Sequence, residues 1–126
     1  MGDRIVLKSD AVPDWQWPDS GPPKGPTTTN LYWWKDKLHE VDGDGEGTAM
    51  MRGLATGDRL DCEGWIHVTS GRGTGRVFVK GRLSLMDGVI GDGSFEIQGG
   101  SGSFEDRAGK DVTVEVENPK RYTIPD

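Results

Sequence analysis

The sequence predicts an all-β domain built from seven or eight short antiparallel strands. Twenty glycines and seven prolines among 126 residues favour many short elements joined by turns. Apolar and polar residues alternate in short runs, and nowhere do apolar residues recur with helical spacing over a full helix length. A meander of this kind either closes into a barrel or folds as a sandwich.

The N-terminal part differs in composition from the rest of the chain. Residues 4–8 are compatible with a short first strand, but five prolines between positions 13 and 26 exclude regular structure there. Two tryptophans in this segment, Trp15 and Trp17, are large apolar side chains that favour burial. Residues 1–28 are therefore interpreted as a strand followed by a strap or lid whose tryptophans dock on the body; the alternative is a disordered leader. Residues 29–126 are interpreted as the single barrel domain.

The first strand of the body is predicted over residues 30–38, and its inward face is ambiguous. Tyr32, Trp34 and Asp36 share one face, whereas Leu31 and Trp33 form an equally apolar opposite face. A one-residue shift exchanges the two faces. After an Asp-Gly turn at 42–45, a second strand is predicted over 48–52, with another turn over 53–57.

The central strands show the clearest alternation. In residues 59–69, Leu60, Cys62 and Ile66 fall on the apolar side, and in residues 76–86 Val79 and Leu83 do so. An Asp-Gly pair at 87–88 predicts the next hairpin. Strands over 94–98, 111–117 and 121–124 complete the meander.

A glycine-rich corner follows the strand at 94–98. Phe95 and Ile97 alternate with polar residues, and three of the next four residues are glycine. Such a corner favours positive φ angles. Phe104 follows directly, and it is predicted to plug the end of the barrel or sandwich.

Charge and cysteine content exclude several classes of function. A net charge of −6 and a pI near 4.9 disfavour nucleic acid as a partner. One cysteine allows no internal disulfide, and no apolar run is long enough for a transmembrane helix or a signal peptide. We therefore expect a soluble, cytoplasmic protein that does not bind membranes. No residue pattern indicates a metal site or a catalytic triad.

Three segments in order resemble the dirigent and allene oxide cyclase superfamily. They are residues 35–47, residues 83–90 with their Asp-Gly hairpin, and residues 95–104, which contain the motif GGSGSF. Among its members, the chain is most similar to small bacterial spirotetronate and spirotetramate [4+2] cyclases. The resemblance implies an eight-stranded antiparallel up-and-down barrel whose lumen holds a hydrophobic small molecule. It also implies that the chain forms a homo-oligomer, often a homodimer or a homotrimer.

The function expected from this resemblance is a cofactor-independent cyclase or isomerase acting on a hydrophobic, polyketide-derived intermediate. The alternatives are a non-catalytic binder or dirigent-like carrier, and a structural domain with a filled barrel. Tyr32 and Asp36 are the candidate catalytic residues, as a hydrogen-bond donor and an inward carboxylate. The candidate substrate-binding residues are Trp34, Met50, Cys62, Trp65, Ile66, Val79, Leu83, Phe95, Ile97 and Val114.

Overall fold

Eight antiparallel strands pair with their sequence neighbours, and the first strand also pairs with the last, so the sheet closes into a barrel. This computed structural model describes residues 4–9, 29–56, 58–86, 89–116 and 120–126, and only the backbone of residues 29–34, 56, 86 and 89. The strands are β1 (Ile5–Ser9), β2 (Thr29–Glu40), β3 (Glu46–Thr56), β4 (Arg59–Ser70), β5 (Gly73–Met86), β6 (Val89–Gly100), β7 (Asp111–Glu115) and β8 (Arg121–Ile124). The prediction of an eight-stranded antiparallel barrel is confirmed.

The barrel interior is apolar because each strand alternates between buried and exposed residues. In β4, Leu60 and Ile66 are buried, and in β5 Val77 and Leu83 are buried, as the alternation of these runs predicts. Buried apolar side chains from all eight strands form one continuous core. Burial of this apolar surface is the main force that holds the closed sheet together.

The register of β2 resolves the face that the sequence left ambiguous. Asp36, Leu38 and Glu40 are buried, whereas Lys35 and Lys37 are exposed. The even-numbered residues of this stretch therefore face the interior. The predicted inward orientation of Asp36 is confirmed.

The prediction for β3 is wrong in two respects. The strand continues through Gly53, predicted to begin a turn, because Gly53 pairs with both Tyr32 of β2 and Cys62 of β4. Met50 does not face the interior, and its neighbour Met51 is buried instead. The run of Ala49, Met50 and Met51 has no polar residue to mark the outer face.

Five strands are much longer than the other three. Strands β2 to β6 have 11 to 14 residues, whereas β1, β7 and β8 have 4 or 5. Ile5 of β1 lies opposite Ile124 of β8, so β1 belongs to the barrel. The barrel domain therefore begins before residue 29.

The glycine-rich corner packs against β5 and β6. Gly102 begins a single 3-10 turn, Gly102–Phe104, with a φ angle of +59°, as predicted for this corner. The amide of Ser101 donates to the carbonyl of Arg76 on β5. Phe104 is buried in the apolar core, which agrees with its predicted role as a plug.

Candidate functional site

Three polar side chains meet in the mainly apolar interior of the barrel. The carboxylate of Asp36 accepts a hydrogen bond at Oδ2 from the Lys120 ammonium, with Nζ 2.7 Å away. The same oxygen accepts a second hydrogen bond from the Tyr122 hydroxyl, at 2.8 Å. Lys120 and Tyr122 are 0% exposed and Asp36 is 5% exposed. We call these three residues the interior polar cluster.

Two distant parts of the chain bring the cluster together. Asp36 belongs to the buried face of β2, and Tyr122 belongs to the buried face of β8. Lys120 directly precedes β8, and its carbonyl accepts a hydrogen bond from the amide of Ser9 at the end of β1. Lys120 therefore continues the inward alternation of Tyr122 and Ile124 beyond the formal start of the strand.

Burial has the largest effect on the pKa of Lys120. Removal of the ammonium from water lowers the pKa of Lys120 below its ordinary value, and the negative charge of Asp36 opposes this shift. The neighbouring Cys62 opposes it as well. A buried ion pair is seldom more stabilising than apolar residues of the same size. The cluster is therefore not explained by fold stability alone.

Most of the predicted substrate-binding residues lie in the barrel core. They are between 0% and 3% exposed and belong to the same packed cluster of side chains. These residues are Cys62, Ile66, Val79, Leu83, Phe95, Ile97 and Val114. Among them, Cys62 has an electrostatic interaction with Lys120.

Two predicted substrate-binding residues lie on the opposite side of the barrel wall. Met50 and Trp65 are cross-strand neighbours on the outer face, so their predicted lumen positions are wrong. They line an open, mainly apolar surface groove of about 750 Å³, together with Phe78 of β5. Trp65 follows the alternation of β4 and shares the outer face with Glu63. The prediction that Trp65 faces the interior rests on its apolar side chain and not on its position in the alternation of β4.

The remaining predicted residues cannot be placed by their side chains. Trp15 and Trp17 lie outside the described residues. Tyr32 and Trp34 are described by backbone alone, which pairs them with Gly53 and Met51 of β3.

The sequence analysis missed Lys120 and Tyr122. A lysine beside a proline and an arginine predicts an exposed turn, because charged residues are rarely fully buried. The available signal was the alternation of Tyr122 and Ile124 with Arg121, which extends backwards to position 120.

A second buried carboxylate joins two neighbouring hairpin turns. Glu40 accepts hydrogen bonds from the Ser70 hydroxyl at 2.7 Å, from Arg72 and from the amide of Gly45. The hydrogen bond from Ser70 lowers the pKa of Glu40, and Arg72 adds to this effect, whereas burial opposes it. The bonds from Ser70 and Arg72 tie the β4–β5 turn to the β2–β3 turn, and the bond from Gly45 lies within the β2–β3 turn. This arrangement indicates a structural role.

The described part of the chain contains no group of three or more His, Cys, Asp or Glu side chains arranged to bind a metal ion. Within the same ranges, no helix has the length and hydropathy that a membrane span needs. The fold and its interior thus define a closed eight-stranded barrel with a buried Asp–Lys–Tyr cluster. No family model matches this sequence, and no curated protein or solved structure is detectably similar to it.

Proposed function

We propose that the protein is a cofactor-independent cyclase or isomerase that folds a hydrophobic, polyketide-derived intermediate inside the barrel. The observation that carries this proposal is the interior polar cluster. A fully buried lysine, paired with an Asp36 carboxylate that also accepts a hydrogen bond from Tyr122, is costly, and apolar residues of similar volume are often as stabilising. Perturbed, buried titratable groups of this kind concentrate at functional sites.

The cluster has donors suited to a carbonyl oxygen. The Lys120 ammonium and the Tyr122 hydroxyl both point at one oxygen of Asp36, so they converge on a single acceptor position. A ligand carbonyl accepts hydrogen bonds from the same donors when the Asp36 carboxylate turns aside and the carbonyl oxygen takes the place of its Oδ2. Such bonds withdraw electrons from a conjugated carbonyl and strengthen in low-dielectric surroundings. The apolar wall selects a compact ligand conformation in which the reacting carbons are close.

The proposal is tested by turnover of a linear polyene that carries a conjugated ketone. We expect the wild-type protein to give a cyclised product of fixed stereochemistry faster than the uncatalysed reaction. Lys120→Met and Tyr122→Phe each remove one donor, and loss of one such donor lowers the rate by roughly 10²-fold or more. Lys37→Met, which removes an exposed lysine of β2, serves as the matched control and retains the wild-type rate.

Binding is measured in parallel by quenching of tryptophan fluorescence. Quenching without product formation contradicts the cyclase and supports the alternative, a hydrophobic small-molecule carrier. Absence of both quenching and product contradicts both functions and leaves the structural domain with a filled barrel.

A further inference from the structure

The outer face of β4 and β5 carries three consecutive cross-strand pairs of side chains. In register, these pairs are Asp61 with Arg82, Glu63 with Lys80, and Trp65 with Phe78. At least one member of each pair is exposed. Strand β3 flanks the pairs on one side and β6 flanks them on the other. We call this surface the β3–β6 face.

The charges of the β3–β6 face are separated by strand. Among the three pairs, the acidic residues, Asp61 and Glu63, belong to β4, and the basic residues, Lys80 and Arg82, belong to β5. A second copy therefore presents the opposite charges when its β5 lies over β4 of the first. A two-fold axis that runs parallel to the strands, between β4 and β5 and in the plane of contact, produces this arrangement. This is the self-complementary symmetry of a homodimer.

We propose that the β3–β6 face is the interface of a homodimer with this two-fold axis. Rotation about an axis along the strands keeps each residue at its own level, so Glu63 of one copy lies opposite Lys80 of the second. Asp61 lies opposite Arg82 in the same way. Each pair occurs twice, which gives four contacts of opposite charge between the copies. Within one copy Arg82 already donates to Asp61 at 3.0 Å, so the two Asp61–Arg82 contacts between the copies add to this internal bond. Complementary charges of this kind fix the register of association and favour the correct partner.

The third level of the face supplies apolar contact. Phe78 is 45% exposed, and under the rotation it lies opposite Trp65 of the second copy. The guanidinium of Arg76 lies 4.1 Å from the ring centre of Trp65. Together with Met50, the two aromatic residues line the open groove described above, which leaves room for a ring from the second copy. Aromatic residues, methionine and arginine are enriched at protein interfaces.

The flanking strands extend the same complementarity. Arg52 of β3 donates to Glu63 within one copy, with Nε 2.8 Å from the carboxylate, and under the rotation it faces Glu96 of β6 in the second copy. Met50 faces Gly99, where a side chain added to the glycine meets no atom within 4 Å. Because the barrel wall curves, β3 and β6 lie farther from the second copy than β4 and β5. These contacts therefore form the margin of the interface.

The size of the face predicts a weak dimer. Four strands at about 4.8 Å spacing and three levels of outward residues cover roughly 400 Å² on each copy. This area lies below that of a standard specific interface, which indicates a transient dimer with a dissociation constant in the micromolar range or weaker. Because the charged pairs are exposed, added salt weakens the association.

The test is charge reversal followed by sedimentation velocity on the full chain at low salt. Glu63→Lys makes positions 63 and 80 both positive, and Lys80→Glu makes them both negative. Each variant alone places like charges between the copies, and we expect its dissociation constant to rise roughly tenfold or more. An equimolar mixture of the two variants restores opposite charges at both contacts, so its constant returns to within about threefold of wild type. The like charges within each copy remain, so the regained association has no explanation inside the monomer.

The matched control is the same reversal at Glu115 and Arg121, a cross-strand pair of opposite charge on β7 and β8. Glu115→Lys and Arg121→Glu should each leave the dissociation constant unchanged, and thermal melts show that every variant is folded. A wild-type chain that remains monomeric at millimolar concentration overturns the proposal. So does a larger oligomer, or a mixture that associates no better than either variant alone. None of these results bears on turnover by the barrel interior.

Discussion

Lys120 shows how the stability of a buried charge depends on its partner. Its ammonium is fully buried, so the carboxylate of Asp36 is needed to balance the charge. Removal of one partner leaves the other charge buried and uncompensated, which is far more costly than removal of both. The cluster is therefore sensitive to single substitutions and tolerant of a paired apolar replacement.

We predict that Asp36→Asn lowers the free energy of unfolding by about 3–5 kcal/mol. The paired variant Asp36→Leu with Lys120→Met should be clearly more stable than Asp36→Asn alone. Urea unfolding measures both. If the paired variant is as unstable as Asp36→Asn, the instability does not come from an unpaired buried charge.

The pH dependence of stability gives an independent readout for the same lysine. Burial lowers the pKa of Lys120 below the 10.5 of an ordinary lysine, so the unfolded chain keeps this proton to higher pH than the folded chain. Stability contributed by this group therefore increases as pH rises from the folded pKa towards 10.5. Lys120→Met lacks this increase, so its stability relative to wild type should fall over that range. Urea unfolding at a series of pH values checks the difference, and parallel curves for the two proteins would contradict it.

The sequence predicts which residues alternate, but not which charged residue is buried. Asp36 shares a face with Tyr32 and Trp34, but the opposite face of the strand is equally apolar, so the local pattern leaves the orientation of Asp36 open. The alternation of β8 extends back to Lys120, but a lysine favours exposure, and only tertiary packing supplies its buried partner. That partner lies far away in the chain, and no local pattern links the two.

At the scale of elements, adjacent glycines in the glycine-rich corner have different roles. A side chain at Gly100 would lie 2.2 Å from the carbonyl oxygen of Phe104, whereas a side chain at Gly99 meets nothing within 4 Å. Gly100 therefore permits the close packing of the corner onto β6. Gly99 has no such requirement on the described surface.

We predict that Gly100→Ala lowers the free energy of unfolding by about 1–3 kcal/mol, because the corner must shift to relieve the overlap. Gly99→Ala is the matched control and should stay within about 0.5 kcal/mol of wild type. Denaturant unfolding of the two variants checks the difference. Equal effects at both positions would show that the corner does not depend on this close approach.

The strands also show where alternation is informative. It predicts β4 and β5 well, since charged residues mark the outer face of both strands. It fails in β3, where Ala49, Met50 and Met51 are consecutive apolar residues. The face of such a run is set by the neighbouring strands through register, which the sequence does not encode locally.

At the scale of the whole molecule, the two ends of the described chain lie on adjacent strands. Ile5 and Ile124 are opposite each other in the β1–β8 pair. The turn between β2 and β3, by contrast, has exposed residues at its tip, Asp42 and Asp44. New chain ends are best tolerated at exposed loop tips.

We predict that a circular permutant with the original ends joined by a short glycine linker, and opened between Gly43 and Asp44, folds to the same barrel. Far-UV circular dichroism and a cooperative denaturant transition measure this. A permutant opened between Val77 and Phe78, within β5, interrupts two strand pairings and should not fold. Failure of the first permutant while the wild type folds would contradict the observed closure.

The pairing of β1 with β8 affects how the chain folds while it is synthesised on the ribosome. Strands β2 to β6 pair with their immediate neighbours and are able to assemble as hairpins while synthesis continues. The edge of β1 that β8 covers stays unpaired until the last strand has emerged. Until that moment the nascent chain is an open sheet with exposed backbone edges, the form of a β protein most prone to aggregate. Pairing of β8 with β1 is therefore the step that removes the exposed edge of the sheet.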